Sequence, residues 1–109
     1  MRAYLSGPMT GYPLFNYPAF EEATAAMRAA GIEVVSPHEI NPADGGVHSW
    51  EWYMKRDIVS MLDADTIVLL PGSETSKGSR LELAIAEALG FAVLRWPFSL
   101  SAPKDGAKK

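Results

Sequence analysis

The sequence predicts a small three-layer α/β fold: four parallel strands in the order 2-1-3-4, with helices on both faces. Three observations lead there. Strand-like and helix-like segments alternate along the chain, the signature of βαβ units joined by right-handed crossovers. The run Thr66-Ile67-Val68-Leu69-Leu70 is β-branched or leucine throughout, which marks a strand covered on both faces. Gly and Pro punctuate the boundaries, at Gly7-Pro8, Gly31, Ser36-Pro37 and Gly90.

Arg2 to Ser6 is the first strand, stopped at Gly7-Pro8. Tyr17 to Ala30 reads as a helix, because Phe20, Ala23, Met27 and Ala30 fall on one face. Asn16 is placed to cap it, Glu21 and Glu22 sit in its first turn, and Gly31 follows its end. Ile32 to Val35 is the second strand. Pro37 to Ser49, with Pro42, Gly45 and Gly46, reads as a long loop. Trp50 to Leu62 is a second helix with Ser49 as its cap. After the Thr66 to Leu70 strand, Pro71 to Gly78 is a polar loop, Ser79 to Leu89 a third helix ended by Gly90, and Phe91 to Trp96 the last strand. Residues 1–98 then form the domain. Ser99 to Lys109, with Pro103, Gly106 and three lysines, reads as a frayed, flexible tail. The arrangement is flavodoxin- or Rossmann-like. In such sheets ligands sit beyond the carboxyl ends of the strands, at the switch between the first and third. The loops Ser6–Asn16 and Pro71–Ser79 meet there.

With 109 residues the chain is one domain, and 48% hydrophobic against 21% charged residues is a globular balance. Ten basic and thirteen acidic side chains leave a net charge of -3, which argues against a nucleic-acid polymer or an anionic membrane as partner. The lack of cysteine removes disulfides, thiolate zinc sites and a Cys nucleophile. The opening Met1 to Pro8 does not read as a signal peptide, because its apolar run breaks at Gly7-Pro8. No apolar stretch nears the roughly 20 residues that span a bilayer. A soluble, cytoplasmic protein is expected. His38 and His48 lack a partner at ligand spacing, so no metal is expected.

Chemistry concentrates at the presumed cleft. Pro71-Gly72-Ser73-Glu74-Thr75-Ser76-Lys77-Gly78-Ser79 feeds a helix start at Arg80, so backbone N–H groups and small hydroxyls can cradle an anion. It is not a Walker A loop, since Lys77 precedes Gly78, and a plain polar connector fits it equally well. Glu82 lies in the first turn of that helix. Ser79-Arg80-Leu81-Glu82 matches a capping box, and a carboxylate at a helix start also has a lowered pKa, which suits a nucleophile; spacing leaves both readings open. Asp57 falls within the apolar stripe Trp50, Tyr53, Met54, Ile58 and Met61 of the second helix. An acid there is costly unless it is functional or paired, with Lys55 or Arg56 the nearest candidates. Asp63 reads as a solvated helix-end residue and Asp65 as a turn residue. Trp50, Trp52 and Tyr53 read as packing residues, and Tyr12, Phe15 and Tyr17 of the first loop are better placed to stack on a nucleobase.

Tyr4-Leu5-Ser6-Gly7-Pro8, the Ala64-Asp65 opening of the third strand, and Ser76-x-Gly78-x-x-x-Glu82-Leu83-x-x-Ala86 resemble the nucleoside 2-deoxyribosyltransferase superfamily over most of residues 2–96. Its small members are the most similar: the 2′-deoxynucleoside 5′-phosphate N-hydrolases and a branch of short phage and bacterial proteins without assigned function. The resemblance implies that Glu82 attacks C1′ of the sugar and forms a glycosyl-enzyme intermediate. It implies that Asp57 places the sugar or delivers a proton, that Ser76 and Gly78 hold a 5′-phosphate with the helix start at Ser79-Arg80, and that Tyr4, Ser6 and Gly7 line the sugar–base pocket. The N-hydrolases carry an arginine in the first loop where this chain has Pro8-Met9-Thr10-Gly11, so Lys77 or Arg80 would have to meet a phosphate.

The expected function is therefore an N-glycosidic bond hydrolase or transferase acting on a (deoxy)nucleoside or its 5′-monophosphate, with no metal or organic cofactor. The alternatives are a nucleotide-sensing module without chemistry, and a phage structural or interaction protein built on the same scaffold. The resemblance also implies a homo-oligomer, a homodimer by default, with Trp50, Trp52 and Met61 as interface candidates.

Overall fold

The computed structural model describes residues 1–41 and 47–98. Four strands, β1 (Arg2–Ser6), β2 (Glu33–Val35), β3 (Thr66–Leu69) and β4 (Ala92–Arg95), form one sheet in the order β2-β1-β3-β4. Every pairing is parallel, with Ala3 opposite Val34 and Thr66, and Ile67 opposite Val93. The predicted topology is thus the observed one. The helices are α1 (Tyr17–Ala29), α2 (Pro37–Ile40), α3 (Trp50–Met61) and α4 (Lys77–Ala88).

Strand parity divides the core. Successive side chains of a strand point to opposite faces. On one face Ala3, Leu5, Val68 and Leu70 pack against Phe20, Ala23 and Met27 of α1. On the other, Tyr4, Ile67 and Leu69 pack against Met61 of α3 and Ala86 of α4. Each large apolar side chain so enclosed contributes about 1.5–3 kcal/mol. Burial removes Met61 from the expected interface: it is 0% exposed and belongs to the core. At the amino ends of the strands, Arg2 pairs with Glu33 at 3.0 Å and with Asp63, and its backbone N–H donates to Asp65 at 3.2 Å. Asp63 is therefore an ion-pair partner as well as an exposed helix-end residue.

Three local expectations are corrected. Asn16 does not cap α1. It follows Leu14 and Phe15 in a left-handed turn (φ 54°, 53° and 60° for the three), a conformation from which its side chain donates to Pro8 O at 2.9 Å instead. α1 starts at Tyr17 as expected, and Glu21 and Glu22, its fifth and sixth residues, fall beyond its first turn. The expected loop after Ser36 begins as a short helix, α2, opened by Pro37 at its first position and tied to α1 by Arg28, which meets both Glu39 oxygens at 2.7 Å. Finally, α4 starts two residues early. Ser76 Oγ accepts from Ser79 N–H at 3.3 Å, making Ser76 the cap. The cap of α3 is as expected, Ser49 Oγ accepting from Trp52 N–H at 3.1 Å. The tail expected from Ser99 onward and the Pro42–Gly46 part of the loop lie outside the described residues.

Candidate active site

The shifted start of α4 decides what Glu82 does. Counting from Ser76 as cap, Glu82 is the sixth helical residue and stands in the second turn, so it cannot close a capping box with Ser79. Its carboxylate turns to the sheet instead. Tyr4 and Ser6, two apart on β1, share the α4 face, and each holds one carboxylate oxygen. Ser6 Oγ donates to Oε1 at 2.6 Å and Tyr4 OH donates to Oε2 at 2.8 Å. Ser79 Oγ lies 3.0 Å from Ser6 Oγ. A hydroxyl has one proton, so with the Ser6 proton on the carboxylate, Ser79 supplies its own to Ser6. The result is a buried chain from Ser79 through Ser6 to Glu82.

Glu82 is 4% exposed, and burial pushes its carboxyl up to about 8. The two hydroxyl donors oppose that rise, and the neighbouring Asp57 charge adds to it. The expectation of a lowered value is corrected: desolvation outweighs a helix N-terminus that lies more than a turn away. The Tyr4 hydroxyl is pushed well above its usual range by burial and by Glu82.

Asp57 is 7% exposed on α3. Among the described residues it forms no salt bridge to Lys55 or Arg56. Asn41 Nδ2 donates to its Oδ1 at 2.7 Å, and Arg56 reaches it only through Asn41. Burial raises Asp57 to about 6, while the Asn41 hydrogen bond and the Arg56 charge pull down. The two acids therefore hold their protons with different strengths in one site.

Both line a single cleft of about 1130 Å³, above the roughly 300–1,000 Å³ common for small-molecule sites. It opens beyond the carboxyl ends of β1 and β3, where the predicted loops meet. Gly7, Ser76, Gly78 and Ser79 line it as well. Tyr4 and Ser6 do not line it and meet it only through their hydrogen bonds to Glu82. Arg80 is exposed and outside the lining, whereas Lys77 lines the cleft with Nζ 4.0 Å from the Trp50 ring centre. Trp50, Tyr53, Tyr12, Phe15 and Tyr17 contribute aromatic wall. Trp52 is elsewhere, stacked on His48 at 3.6 Å.

Two glycines permit the approach of these loops. A Cβ on Gly7 would come within 2.8 Å of Leu70 Cβ and force a shift there, and one on Gly78 within 3.0 Å of Met54 Sδ, which would have to give by a few tenths of an ångström. Among the described residues no cluster of three or more His, Asp or Glu could hold a metal ion, and no helix is long and apolar enough to cross a membrane.

Sequence reasoning missed Asn41, which lies in a stretch without periodicity. It also gave Tyr4 and Ser6 a place on the pocket wall rather than on the acid. The available signal was two hydroxyls two residues apart on an otherwise apolar buried strand, which require buried partners.

A family model described as a domain of unknown function (DUF4406) matches residues 1–95. Solved structures that share the fold include two 2-deoxyribosyltransferases. The 2-deoxyribosyltransferase from the psychrotolerant bacterium Bacillus psychrosaccharolyticus, described as a biocatalyst for the synthesis of antiviral and antitumoral nucleosides, superposes with a TM-score of 0.68 at 24% identity over 87% of this chain and 71% of that one. The 2-deoxyribosyltransferase from Leishmania mexicana does so with 0.65 at 20% identity, over 86% of this chain and 62% of its own. The chain thus spans less than two thirds of the second enzyme. No curated protein matches the sequence.

Proposed function

The chain belongs to the DUF4406 family, and from that premise we propose that it cleaves the N-glycosidic bond of a (deoxy)nucleoside or its 5′-monophosphate, as a hydrolase or a transferase. The observation that carries the reading is a buried carboxylate, Glu82, clamped through both oxygens and lining a cleft roomy enough for a nucleotide beside a second acid, Asp57. The shared fold with 2-deoxyribosyltransferases supports it.

In this mechanism ionised Glu82 attacks C1′ of the sugar. The C1′–N bond breaks, its electron pair leaves with the base, and Asp57 gives the base a proton. Water, or a second base in a transfer, then attacks C1′ and yields a proton to Asp57. The ester C–O bond breaks and the Glu82 carboxylate is restored. Between about pH 6 and 8 the two acids share one proton, held chiefly by Glu82 when the cleft is empty. The reactive form is the one with that proton on Asp57. Positive charge developing at C1′ favours it, because an ionised carboxylate beside an oxocarbenium-like centre is stabilising. The Tyr4 and Ser6 hydroxyls favour it too, since they donate to the ionised form.

A 5′-phosphate fits the start of α4, where Ser76, Gly78 and Ser79 line the cleft and Lys77 supplies the cation. Tyr12, Phe15 and Tyr17 offer faces for the base. A homo-oligomer remains part of the proposal, with Met61 excluded from its surface and Trp50 engaged in the cleft wall.

The test is a liquid-chromatography screen of purified protein against the common nucleosides, deoxynucleosides and their monophosphates. Free base is expected from at least one, with a bell-shaped pH dependence. Tight nucleotide binding without base release would replace the enzyme reading with a sensor, a role in which a protonated Glu82 serves as a neutral hydrogen-bonding group.

A further inference from the structure

Asn41 closes the short helix α2 and is 8% exposed. Its side-chain amide is held from both ends. Arg56 Nε donates to Asn41 Oδ1 at 3.1 Å, and Arg56 Nη2 donates to Ile40 O at 2.5 Å. The guanidinium is itself steadied over the Trp52 ring, 4.9 Å from its centre. A guanidinium has donors only, so the amide atom facing it must be the oxygen. That leaves Nδ2 to face Asp57, where it donates to Oδ1 at 2.7 Å. A reversed amide would set its oxygen against the carboxylate and its NH₂ against the arginine, opposing like groups at both ends. Asp57 Oδ2 is left without a hydrogen-bond partner among the described residues, on a side chain that lines the cleft.

We propose that Asn41, oriented by Arg56, is a positioning residue for Asp57: it fixes one carboxylate oxygen so that the other carries the proton given to the leaving base. The role of that proton rests on the N-glycosidic reading; the coupling of Asn41 to Asp57 stands on geometry. The N–H of Asn41 favours the ionised form of Asp57 against the effect of burial. Arg56 acts in the same direction. Glu82 on α4 and Tyr4 on β1 interact with Asp57 electrostatically, and Glu21, His48 and Lys77 line the same cleft. Asn41 therefore sets how far apart the two acids titrate as well as where Asp57 points.

The test begins with the unaltered protein. Side-chain ¹⁵N signals of Asn41 should move with pH, with the same midpoint as the ¹³C carboxyl signal of Asp57, near pH 6. Asn41→Leu, and the smaller Asn41→Ala in case Leu overpacks, should raise the Asp57 midpoint by about one pH unit. The acidic limb of kcat/KM for base release should move by the same amount. A residue that only supports the fold would lower the melting temperature and leave both midpoints in place. Asn41 signals indifferent to the Asp57 titration, or an Asp57 midpoint unchanged in Asn41→Ala, would overturn the proposal. If the unaltered protein releases no base, the enzyme reading fails while the coupled titration still decides the role of Asn41.

Discussion

Replacing Glu82 with Gln should make the protein more stable as the pH rises. An ordinary glutamate titrates near 4.5, and burial in this fold holds Glu82 at about 8. The folded chain then binds the proton more tightly than the unfolded chain. The stability this gives is fully present below pH 4.5 and is lost as the pH climbs through 8. A rise from 4.5 to about 8 corresponds to about 5 kcal/mol in all, with roughly 3–4 kcal/mol falling between pH 5 and 8. Water reaching the carboxylate from the cleft reduces the cost, so about 2–4 kcal/mol is expected. Gln is neutral at every pH and keeps the shape: its oxygen accepts from one hydroxyl, and its NH₂ donates to the other once that hydroxyl turns. Urea unfolding of both proteins at pH 5, 6, 7 and 8 reads the difference. The two should be nearly equal at pH 5, and Glu82→Gln should lead by about 2–4 kcal/mol at pH 8. Asp57 is present in both, so the subtraction removes most of its own titration. Base release should vanish in the variant. Parallel stability curves would refute the buried, proton-holding acid, and retained base release would refute the nucleophile.

Four further outcomes follow from the same geometry. Asp57→Asn should cut base release by about 10²–10⁴-fold without loss of stability at pH 7, since a costly buried charge is removed; kinetics and a thermal melt check this. Tyr4→Phe deletes a donor to the ionised acid, so the basic limb of the pH–rate profile should move upward, with a stability change of about 1–3 kcal/mol. Ser76→Ala should cost about 1 kcal/mol through the lost cap and weaken a nucleoside monophosphate more than the parent nucleoside, as calorimetry would show. Light scattering should give a mass above the monomer at micromolar concentration; a monomer with full base release would end the oligomer proposal.

The sheet was legible because its burial leaves a pattern. Ile67 to Leu70 has no polar residue to offer solvent, and the breaks at Gly7-Pro8 and Gly31 bound the first strand and first helix. Asp57 was legible as an acid in a place that must justify a charge, and Glu82 as an acid beside the presumed cleft. Of the two readings that spacing left open for Glu82, the capping box fails. Ser79-x-x-Glu82 fits a capping box by spacing, but Ser76 takes the Ser79 N–H first, and that three-residue shift of the cap turns Glu82 from the helix end to the sheet. Spacing cannot choose between two serines that could each cap. The stripe on α3 misled in another way. Its first half, Trp50 to Asp57, lines the cleft, while Met61 at its far end enters the core, and one helical period describes both. Asn41 was invisible because a four-residue helix is too short to show any period.

The parity of β1 has a consequence for how this protein can fail. Ala3 and Leu5 face α1 while Tyr4 and Ser6 face Glu82, within five residues. A slip of one position in pairing would swap the sets, setting Leu5 against a carboxylate and two hydroxyls among aliphatic side chains. Such a slip cannot spare one set while spoiling the other. A one-residue slip therefore spoils the core packing and the Glu82 clamp together. Core and clamp are thus read from the same odd and even positions, and neither can be checked without the other.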